Sequence, residues 1–378
     1  MVLNDSQKAW AKTAYDKILE KERGVIRRSG QKIPYTTVNG IFDDKSTTDP
    51  AWWTNCFWHG ILWLMYAETG DIDIRDLAGR LEQRMDPVLH TAENVNHDVG
   101  FMWLHASVAN WRLTGNAASK NRGLIAANYL AARFNPDAGF ITAWNGAERK
   151  GWSIIDTMMN LPLLYWAAEE TGYERYRSIA GLHADKTMEN VIRPDGSVVH
   201  IIEYSLADGS VIRTLGGQGY GVGSSWTRGQ AWAIYGFALS HLHTGEKRYL
   251  DAAKRVAHYF LAACAMHGYI PPVDFRSPAE PRLIDTTAGA IAACGMLEIA
   301  RALEGTHEAA LYTDGALRLL QAIESTYADW SEKSDALVHM GSEGYHSATH
   351  KQHLDIIYGD YFFIEAFCKL CGQDKMLW

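Results

Sequence analysis

The feature of this sequence that most constrains its fold is a helical segment, apolar and rich in aromatic residues, that ends in glycine and recurs along the chain. In four copies the glycine follows a threonine, and two later copies are looser. The copies span 58–71, 101–116, 161–173, 229–246, 289–305 and 359–374. Because recurrence at intervals of tens of residues indicates a repeated supersecondary unit, we expect a fold built from six such units.

The apolar residues within each copy have helical spacing. In the first copy Trp58, Ile61 and Leu62 are followed one turn later by Met65 and Tyr66, which is the pattern of a helix face. A glycine directly after such a segment is the residue that most often ends a helix in the left-handed conformation. The six glycines are Gly70, Gly115, Gly172, Gly245, Gly305 and Gly372. The intervals between them leave room for a second, returning helix.

The polarity of the two kinds of helix predicts how they are arranged. Several glycine-ended segments are apolar on nearly every face, as in 160–168, which requires burial on all sides. The returning segments, such as 249–263, are more charged and are expected outside. Six inner helices surrounded by six outer ones form an all-α (α/α)6 barrel. No linker or change in composition divides the chain, so we expect a single domain over 1–378.

Two segments interrupt the helical pattern. Residues 193–225 are predicted to form a β-hairpin with its turn at Asp208 and Gly209, followed by a glycine-rich stretch. Residues 328–357 form a polar loop that contains several histidines. Long excursions from a regular scaffold often carry function.

Composition and charge exclude several classes of protein. The chain is 47% hydrophobic, which is too apolar for a disordered protein. It carries 36 Lys plus Arg against 44 Asp plus Glu and has no basic tract, so we expect no nucleic-acid partner. The polar N-terminal stretch contains neither a signal-type apolar core nor a membrane span, which predicts a cytoplasmic protein with no membrane partner.

The five cysteines are an odd number, and most of them lie in apolar runs. They are therefore expected to be buried thiols in a reducing compartment. Cys368 and Cys371 have the spacing of a redox pair, but they end a helical segment and so lack activation by a helix N-terminus.

The inner helices of such a barrel run parallel, so the residues before them meet at one end of the molecule. In the four copies that end in Thr-Gly, one such residue stands 14 to 16 positions before the threonine (Asn55, Asp98, Asp156 and Arg228), which predicts that these polar residues face one shared pocket. The full set of residues before the inner helices is Trp53, Asn55, His59, His97, Asp98, Asp156, Asn160, Trp226, Thr227, Arg228, Asp285 and Asp360.

Helix capping is the competing explanation for the acidic and amide residues in this set, because Asp and Asn are favoured at helix starts. Capping does not explain the tryptophans and the arginine at the same level. Aromatic rings interleaved with carboxylates, histidine and arginine are what sugar recognition requires, since rings stack on pyranose faces and charged groups bind hydroxyls and carboxylates.

Among the acids, Asp156 is the best candidate for proton transfer. Apolar neighbours such as Ile155 and Met158 would raise the pKa of its carboxyl, whereas a helix N-terminus would lower it. A second carboxylate nearby, Asp98, would decide between these effects, because two like charges cannot both ionise freely and one of them keeps its proton.

Other chemistries are poorly supported. The spacing of His339, His346, His350 and His353 matches no common metal site, so a solvated loop is the better interpretation. The glycines of 216–223 lack the strand, helix and downstream acid of a dinucleotide fingerprint. No serine or cysteine nucleophile motif is present. We therefore expect neither a metal nor a cofactor.

Five motifs make the sequence similar to the unsaturated glucuronyl hydrolases of glycoside hydrolase family 88. They are NHDVGF at 96–101, IIDTMMNLPLLYWA from 154, SSWTRGQAWAIYGFAL from 224, PPVDF at 271–275 and DTTAGAIAACGMLEIA from 285. The resemblance covers nearly the whole chain and implies an (α/α)6 barrel. It also implies removal of a 4,5-unsaturated uronic acid from the non-reducing end of oligosaccharides left by polysaccharide lyases, by hydration of the vinyl ether.

The resemblance also implies roles for individual residues. Asp156 matches the general acid/base that protonates the double bond and activates water, and Asp98 matches a second acid that binds ring hydroxyls and perturbs Asp156. The positions that match the uronate subsite are His200, Gln218, Trp226 and Arg228. Trp53 and Trp144 match aromatic walls, and His97 stands where the family places a histidine. The substrate is the one partner implied.

One departure from the family bears on specificity. Some members that act on sulfated glycosaminoglycan fragments carry a Ser-x-x-Ser-x-Lys arrangement in the loop that corresponds to 328–357, the late loop. Here the corresponding positions hold Gly344, Ser347 and Thr349, with Lys351 nearby. A preference for a 6-sulfated substrate is therefore not expected.

Three alternatives to this function remain open at the level of sequence. The first is an unsaturated rhamnogalacturonyl hydrolase, with the same barrel and chemistry but a rhamnose in the next subsite. The second is a sugar epimerase or isomerase in which histidines move protons on the same scaffold. The third is a sugar-binding protein without catalysis.

Overall fold

The computed structural model describes residues 3–91, 94–373 and 377–378. In the fold, six inner helices form a ring that is surrounded by six outer helices. The inner helices are α2 (Phe57–Thr69), α5 (Val99–Trp103) continued through a π-helical turn (Leu104–Val108) into α6 (Ala109–Thr114), α8 (Pro162–Thr171), α10 (Thr227–Thr244), α12 (Thr286–Ala302) and α14 (Ile357–Leu370). The outer helices are α1 (Asp5–Ser29), α3 (Ile72–Arg84), α7 (Ala117–Ala132), α9 (Glu174–Val191), α11 (Lys247–Ala265) and α13 (Glu308–Tyr327). A short helix, α4 (Asp86–Leu89), follows α3.

Burial separates the two rings as the sequence predicts. In α12 every residue from Thr286 to Ala300 is buried, which is why that helix needs an apolar residue on each face. Helix α11 buries one face and exposes charged residues on the other. The helices pack in chain order around the ring, and α14 returns to pack against both α1 and α2.

The repeated glycines end the inner helices as expected. All six have positive φ, between 67° and 85°. Gly70, Gly115, Gly172 and Gly245 follow the last helical residue directly, and each donates its N–H to a carbonyl four residues back. Gly305 lies three residues beyond the end of its helix and Gly372 two.

The loops between helices form three small antiparallel sheets in the described part of the chain. The strands are β1 (Thr37–Val38) with β2 (Ile41–Phe42), β3 (Phe134–Asn135) with β4 (Phe140–Ile141), and β5 (Trp152–Ile154), β6 (Ile201–Tyr204) and β7 (Val211–Leu215) in one sheet. The β6–β7 hairpin and its turn were predicted, and Gly209 has a φ of 68°. Strand β5 was not predicted. It pairs Ile154 with Ile201 and leads directly into the turn that carries Asp156.

The other expectations concern cysteines and membranes. All five cysteines are free thiols, four of them buried and Cys371 half-buried, as the sequence predicts. In the described part of the chain, helices long enough to cross a bilayer are not apolar enough to do so.

Candidate active site

Two segments distant in sequence meet at the end of the barrel where the inner helices begin. Asp98 is the residue that precedes α5, and Asp156 lies in a 3₁₀ turn (Ile155–Met159) before α8. Asn160 joins the two segments: its side chain accepts the N–H of Phe101 at 2.7 Å and donates to the carbonyl of Asp156 at 3.2 Å. A Cβ at Gly100 would lie 2.5 Å from the Cα of Asn160, so this close approach requires glycine.

His97 bridges the two acidic segments. Its Nε2 lies 3.4 Å from Oδ1 of Asp98, and its Nδ1 lies 2.9 Å from the hydroxyl of Thr157, the neighbour of Asp156. Burial lowers the pKa of His97 to about 3, so the imidazole is neutral at physiological pH. A neutral bridge can fix the geometry of the carboxyl groups without adding a charge.

The electrostatics of the carboxyl pair leave one proton bound. Burial and the negative charge of Asp156 raise the pKa of Asp98 to about 8, although Arg133, Asn160 and Asn96 act in the opposite direction. Asp98 therefore carries a proton at neutral pH. The sequence argument expected one carboxyl of the pair to keep its proton and favoured Asp156, whereas the raised pKa falls on Asp98 because that carboxyl is desolvated.

His200 fixes the opposite side of Asp156. The backbone N–H of Gln218 donates to Nδ1 of His200 at 3.0 Å, so a neutral imidazole carries its proton on Nε2. That Nε2 lies 3.5 Å from Oδ2 of Asp156. Within the described residues this carboxylate oxygen accepts no hydrogen bond, although it is buried. This polar atom is thus available to a bound molecule. The ring of Trp226 packs on His200 with centroids 4.3 Å apart.

A cavity of about 620 Å³ opens beside Asp98. Trp53 and Trp144, the residues that the resemblance assigns to aromatic walls, are among those that line it. Trp53 packs against Tyr358, with ring centroids 5.1 Å apart, and Trp144 stands edge-on to His97 at 6.4 Å. The rest of the lining is Thr48, Asp49, Pro50, Ala51, Trp52, Pro87, Val88, Thr91, Asn94 and Asn96.

Arg228 lies beneath the site rather than in the cavity. It is 1% exposed, and its guanidinium forms an ion pair with Asp285. It also donates to the carbonyls of Ser342 and Glu343 and lies 4.6 Å from the ring of Trp226. The sequence analysis placed Asp285 at the same level as Arg228 but did not foresee that the two would pair.

Gln218 shares this role of holding the late loop. Its Nε2 donates to the carbonyl of Glu343, which also accepts from Arg228. Its own carbonyl accepts the N–H of Tyr345 at 2.8 Å. Gln218 therefore connects His200 to the loop that borders the site.

The remaining polar residues of the predicted mouth serve the scaffold. Asp285 caps α12 by accepting the N–H of Thr287, and Asp360 accepts the N–H groups of residues 337 and 338. Asn55 donates to two carbonyls of the preceding loop, and His59 is fully buried. Asp285 therefore caps its helix, as the capping alternative proposed, and Asn55 and Asp360 hold neighbouring loop segments.

No metal centre emerges from the described residues, in which no group of three or more His, Cys, Asp and Glu is arranged to hold an ion. The histidines of the late loop have other partners. His339 lies between Asp355, at 2.6 Å, and Asp329, at 3.2 Å, and His346 contacts the carbonyl of Tyr220. The expectation that neither metal nor cofactor is needed stays a prediction.

The chain is similar in sequence to proteins of named activity. No protein-family model matches the chain. An unsaturated glucuronyl hydrolase from Bacillus sp. (strain GL1) is 37% identical over 353 residues, which are 91% of this chain and 92% of that protein. An unsaturated chondroitin disaccharide hydrolase from Streptococcus pyogenes serotype M1 is 34% identical over 343 residues, 87% of this chain and 84% of that protein.

Solved structures agree with these sequence matches. The crystal structure of unsaturated glucuronyl hydrolase from Bacillus sp. GL1, described as responsible for glycosaminoglycan degradation, has a TM-score of 0.87 at 35% identity over 96% of each chain. A UGL variant with an Asp-to-Asn substitution, bound to dGlcA-Glc-Rha-Glc, has a TM-score of 0.86 at 35% identity over 95% of this chain and 96% of that one. The expected fold and the expected resemblance are both confirmed.

Proposed function

Because this chain belongs to the unsaturated glucuronyl hydrolase family of glycoside hydrolases, we propose that it removes a 4,5-unsaturated uronic acid from the non-reducing end of oligosaccharides produced by polysaccharide lyases. The observation that carries the proposal is that the segments of two carboxyl groups, Asp98 and Asp156, are joined through Asn160 beside a cavity that Asp98 lines. Asp98 holds a proton at neutral pH, and Asp156 keeps an oxygen without a hydrogen-bond partner among the described residues.

The chemistry follows from the vinyl ether of the substrate. Protonation of C4 breaks the double bond and leaves a cation at C5 that the ring oxygen stabilises. Water adds to C5 and loses a proton, which forms a hemiketal. When the ring opens, C1 becomes a hemiacetal and releases the remaining sugar as an alcohol. No cofactor is consumed, since the reaction adds one water molecule overall.

We assign the proton transfers to Asp156. It delivers the proton to C4 and, once ionised, accepts a proton from the attacking water. The proton that Asp156 delivers comes from the pair: Asp98 binds it in the free protein and passes it to Asp156, and the ionised Asp98 then accepts a hydrogen bond from a ring hydroxyl. His97 and His200 hold the two carboxyl groups from either side.

The remaining predicted residues form the uronate subsite. Trp53 and Trp144 provide faces for the sugar rings from the cavity walls, and Trp226 packs under His200. Arg228, whose charge is offset by Asp285, serves the subsite with Gln218 by fixing the carbonyl of Glu343.

The conformation of the late loop supports an unsulfated substrate. A Cβ at Gly344 would lie 2.8 Å from the ring of His350 and 3.0 Å from the carbonyl of Gln218. A serine therefore does not fit at this position, and Ser347 and Lys351 are exposed. Unsulfated uronate-containing disaccharides are the substrate class we propose, and the five free thiols support a cytoplasmic location.

A panel of lyase-generated disaccharides tests the proposal. The conjugated double bond absorbs in the ultraviolet, and hydration abolishes this absorbance. We expect loss of absorbance with unsulfated glycosaminoglycan disaccharides and slower loss with their 6-sulfated forms. Faster turnover of pectin-derived disaccharides would favour the rhamnogalacturonyl alternative. Unchanged absorbance with every substrate would contradict the proposal and favour an epimerase or a non-catalytic binding protein.

A further inference from the structure

Arg133 lies at a junction of the chain beside the cavity. It directly follows α7 and precedes the β3–β4 hairpin, which turns the chain back so that the N–H of Thr142 donates to the carbonyl of Arg133 at 3.0 Å. The guanidinium extends along the returning segment. Its Nε donates to the carbonyl of Thr142 at 2.8 Å and its Nη2 to that of Ala143 at 3.1 Å. This segment carries Trp144, one wall of the cavity.

The same guanidinium contacts the segment that carries Asp98. Its Nη1 donates to the carbonyl of Val95 at 3.3 Å and to the side-chain oxygen of Asn145 at 2.9 Å. The amide of Asn145 donates to the same carbonyl of Val95 at 3.0 Å. The carbonyl of Ala143, which accepts from Arg133, also accepts the N–H of His97 at 3.1 Å. Segments 94–98 and 142–145 are thus joined around one side chain.

We propose that Arg133 is a positioning residue, whose guanidinium sets where the carboxyl of Asp98 and the ring of Trp144 stand relative to each other in the cavity. The proposal deepens the proposed function and rests on it for the choice of substrate. Arginine suits this task because its planar fork donates in several fixed directions, whereas the ammonium of lysine is a compact point charge.

Arg133 also acts on Asp98 through its charge. Within the described part of the chain, Asp156 and Arg133 act on Asp98 through their charges, His97 lies next to it, and the amides of Asn96 and Asn160 hydrogen-bond to it. His97 is neutral, so the balance lies between the negative charge of Asp156 and the positive charge of Arg133. Burial and Asp156 raise the pKa of Asp98, and the charge of Arg133 lowers it. Without that charge the pKa of Asp98 therefore rises further.

Two substitutions separate geometry from charge. Arg133→Lys keeps the charge and loses the fork, so we expect the alkaline limb of kcat/KM to stay in place while kcat/KM falls about tenfold, mainly through a higher KM. Arg133→Met loses both, so kcat/KM falls about a hundredfold and the alkaline limb moves up by about one pH unit. An unchanged limb and a loss of less than about twofold in Arg133→Met would overturn the proposal.

Arg122, an arginine within α7, provides a matched control for Arg133, which follows that helix. It forms a two-point ion pair with Asp86, at 2.6 and 2.8 Å, and has no contact with either cavity segment. Arg122→Met should lower the melting temperature without moving the pH profile or KM. If it shifts the profile as Arg133→Met does, Arg133 has only a structural role.

Two further measurements keep the proposal testable. If Arg133→Met does not fold, Asn145→Ala removes one of the two donors to Val95 and should raise KM with the limb unchanged; an unchanged KM would contradict the proposal. The titration of Asp98, followed by carbon NMR of labelled carboxyl groups without substrate, should shift upward in Arg133→Met. That shift supports the proposal even if the panel shows that the chain has another substrate, and its absence opposes it.

Discussion

Asp98 and Asp156 are chemically identical groups that their surroundings make unequal. Asp98 is 7% exposed, and its neighbour His97 is neutral, so this ring adds no charge that would compensate for the desolvation of the carboxyl. Asp156 faces the protonated nitrogen of His200 and keeps one oxygen free of hydrogen bonds within the described chain. The site thereby combines a carboxyl that keeps its proton near neutral pH with a carboxyl oxygen that is open to a bound molecule.

The first prediction concerns pH. Because burial raises the pKa of Asp98 to about 8, the pair holds its shared proton below that pH and loses it above. We therefore expect kcat/KM to decline on the alkaline side with an apparent pKa near this value. Rates measured across the pH range, with circular dichroism at each pH to exclude unfolding, provide the test. A rate that stays constant well above pH 8 would contradict the assignment.

The second prediction concerns Asp156. Asp156→Asn should reduce kcat by about 10²- to 10⁴-fold, because the amide cannot deliver the proton. Its melting temperature should hardly change, since Oδ2 of Asp156 accepts no hydrogen bond in the described structure that an amide would lose. Asp314→Asn, at an exposed position of α13, is the matched control and should behave like the wild type. Full activity in Asp156→Asn would restrict this residue to a structural role.

At the scale of elements, the long inner helices were predictable because each one repeats the same apolar spacing and ends in glycine. Strand β5 was not, since three residues of a strand carry no readable period. The π-helical turn between α5 and α6 is equally invisible, because 104–108 has the composition of the helices that flank it. The site followed the same rule. The sequence singled out candidate residues that precede inner helices. It did not single out Arg133, which follows an outer helix.

The third prediction concerns the contact between α10 and the turn of Asp156. A Cβ at Gly236 would lie 2.5 Å from the Cβ of Met158 and 3.0 Å from its carbonyl carbon. Gly236→Ala should therefore destabilise the fold by about 1–3 kcal/mol and lower kcat/KM, because the turn must move. Gly79→Ala in α3 meets nothing within 4 Å and should stabilise by up to about 1 kcal/mol. Urea unfolding of both variants decides, and equal stabilities would refute the close contact.

At the scale of the whole molecule, residues from both ends of the chain close the ring. Asp335 receives Arg28 of α1 at 2.9 Å and the N–H of Phe42 at 3.0 Å. Asp355 receives the hydroxyl of Thr37 at 2.6 Å and also pairs with His339. The late loop that borders the site is thus anchored to the first helix and the first hairpin, so ring closure and site assembly are coupled.

The last prediction concerns the axis of the barrel, which Trp378 fills. Its fully buried ring stacks on Phe362 of α14, with centroids 5.8 Å apart, and meets the edges of His105 and Tyr235 at 4.4 and 5.7 Å. Its Nε1 donates to Glu365 at 2.8 Å. One side chain therefore contacts residues of three inner helical segments, and Trp378→Ala should cost about 3–5 kcal/mol in the free energy of unfolding.

Two other substitutions make this prediction specific to the axis. Trp378→Phe keeps a ring and loses the N–H, so it should cost less than Trp378→Ala. Trp10→Ala removes a half-buried ring of the outer helix α1, which packs against Phe367 with centroids 5.2 Å apart. This substitution should lower the free energy of unfolding still less. Urea unfolding of the three variants gives the order. A loss for Trp378→Ala no larger than for Trp10→Ala would mean that the inner helices hold together without a side chain at their centre.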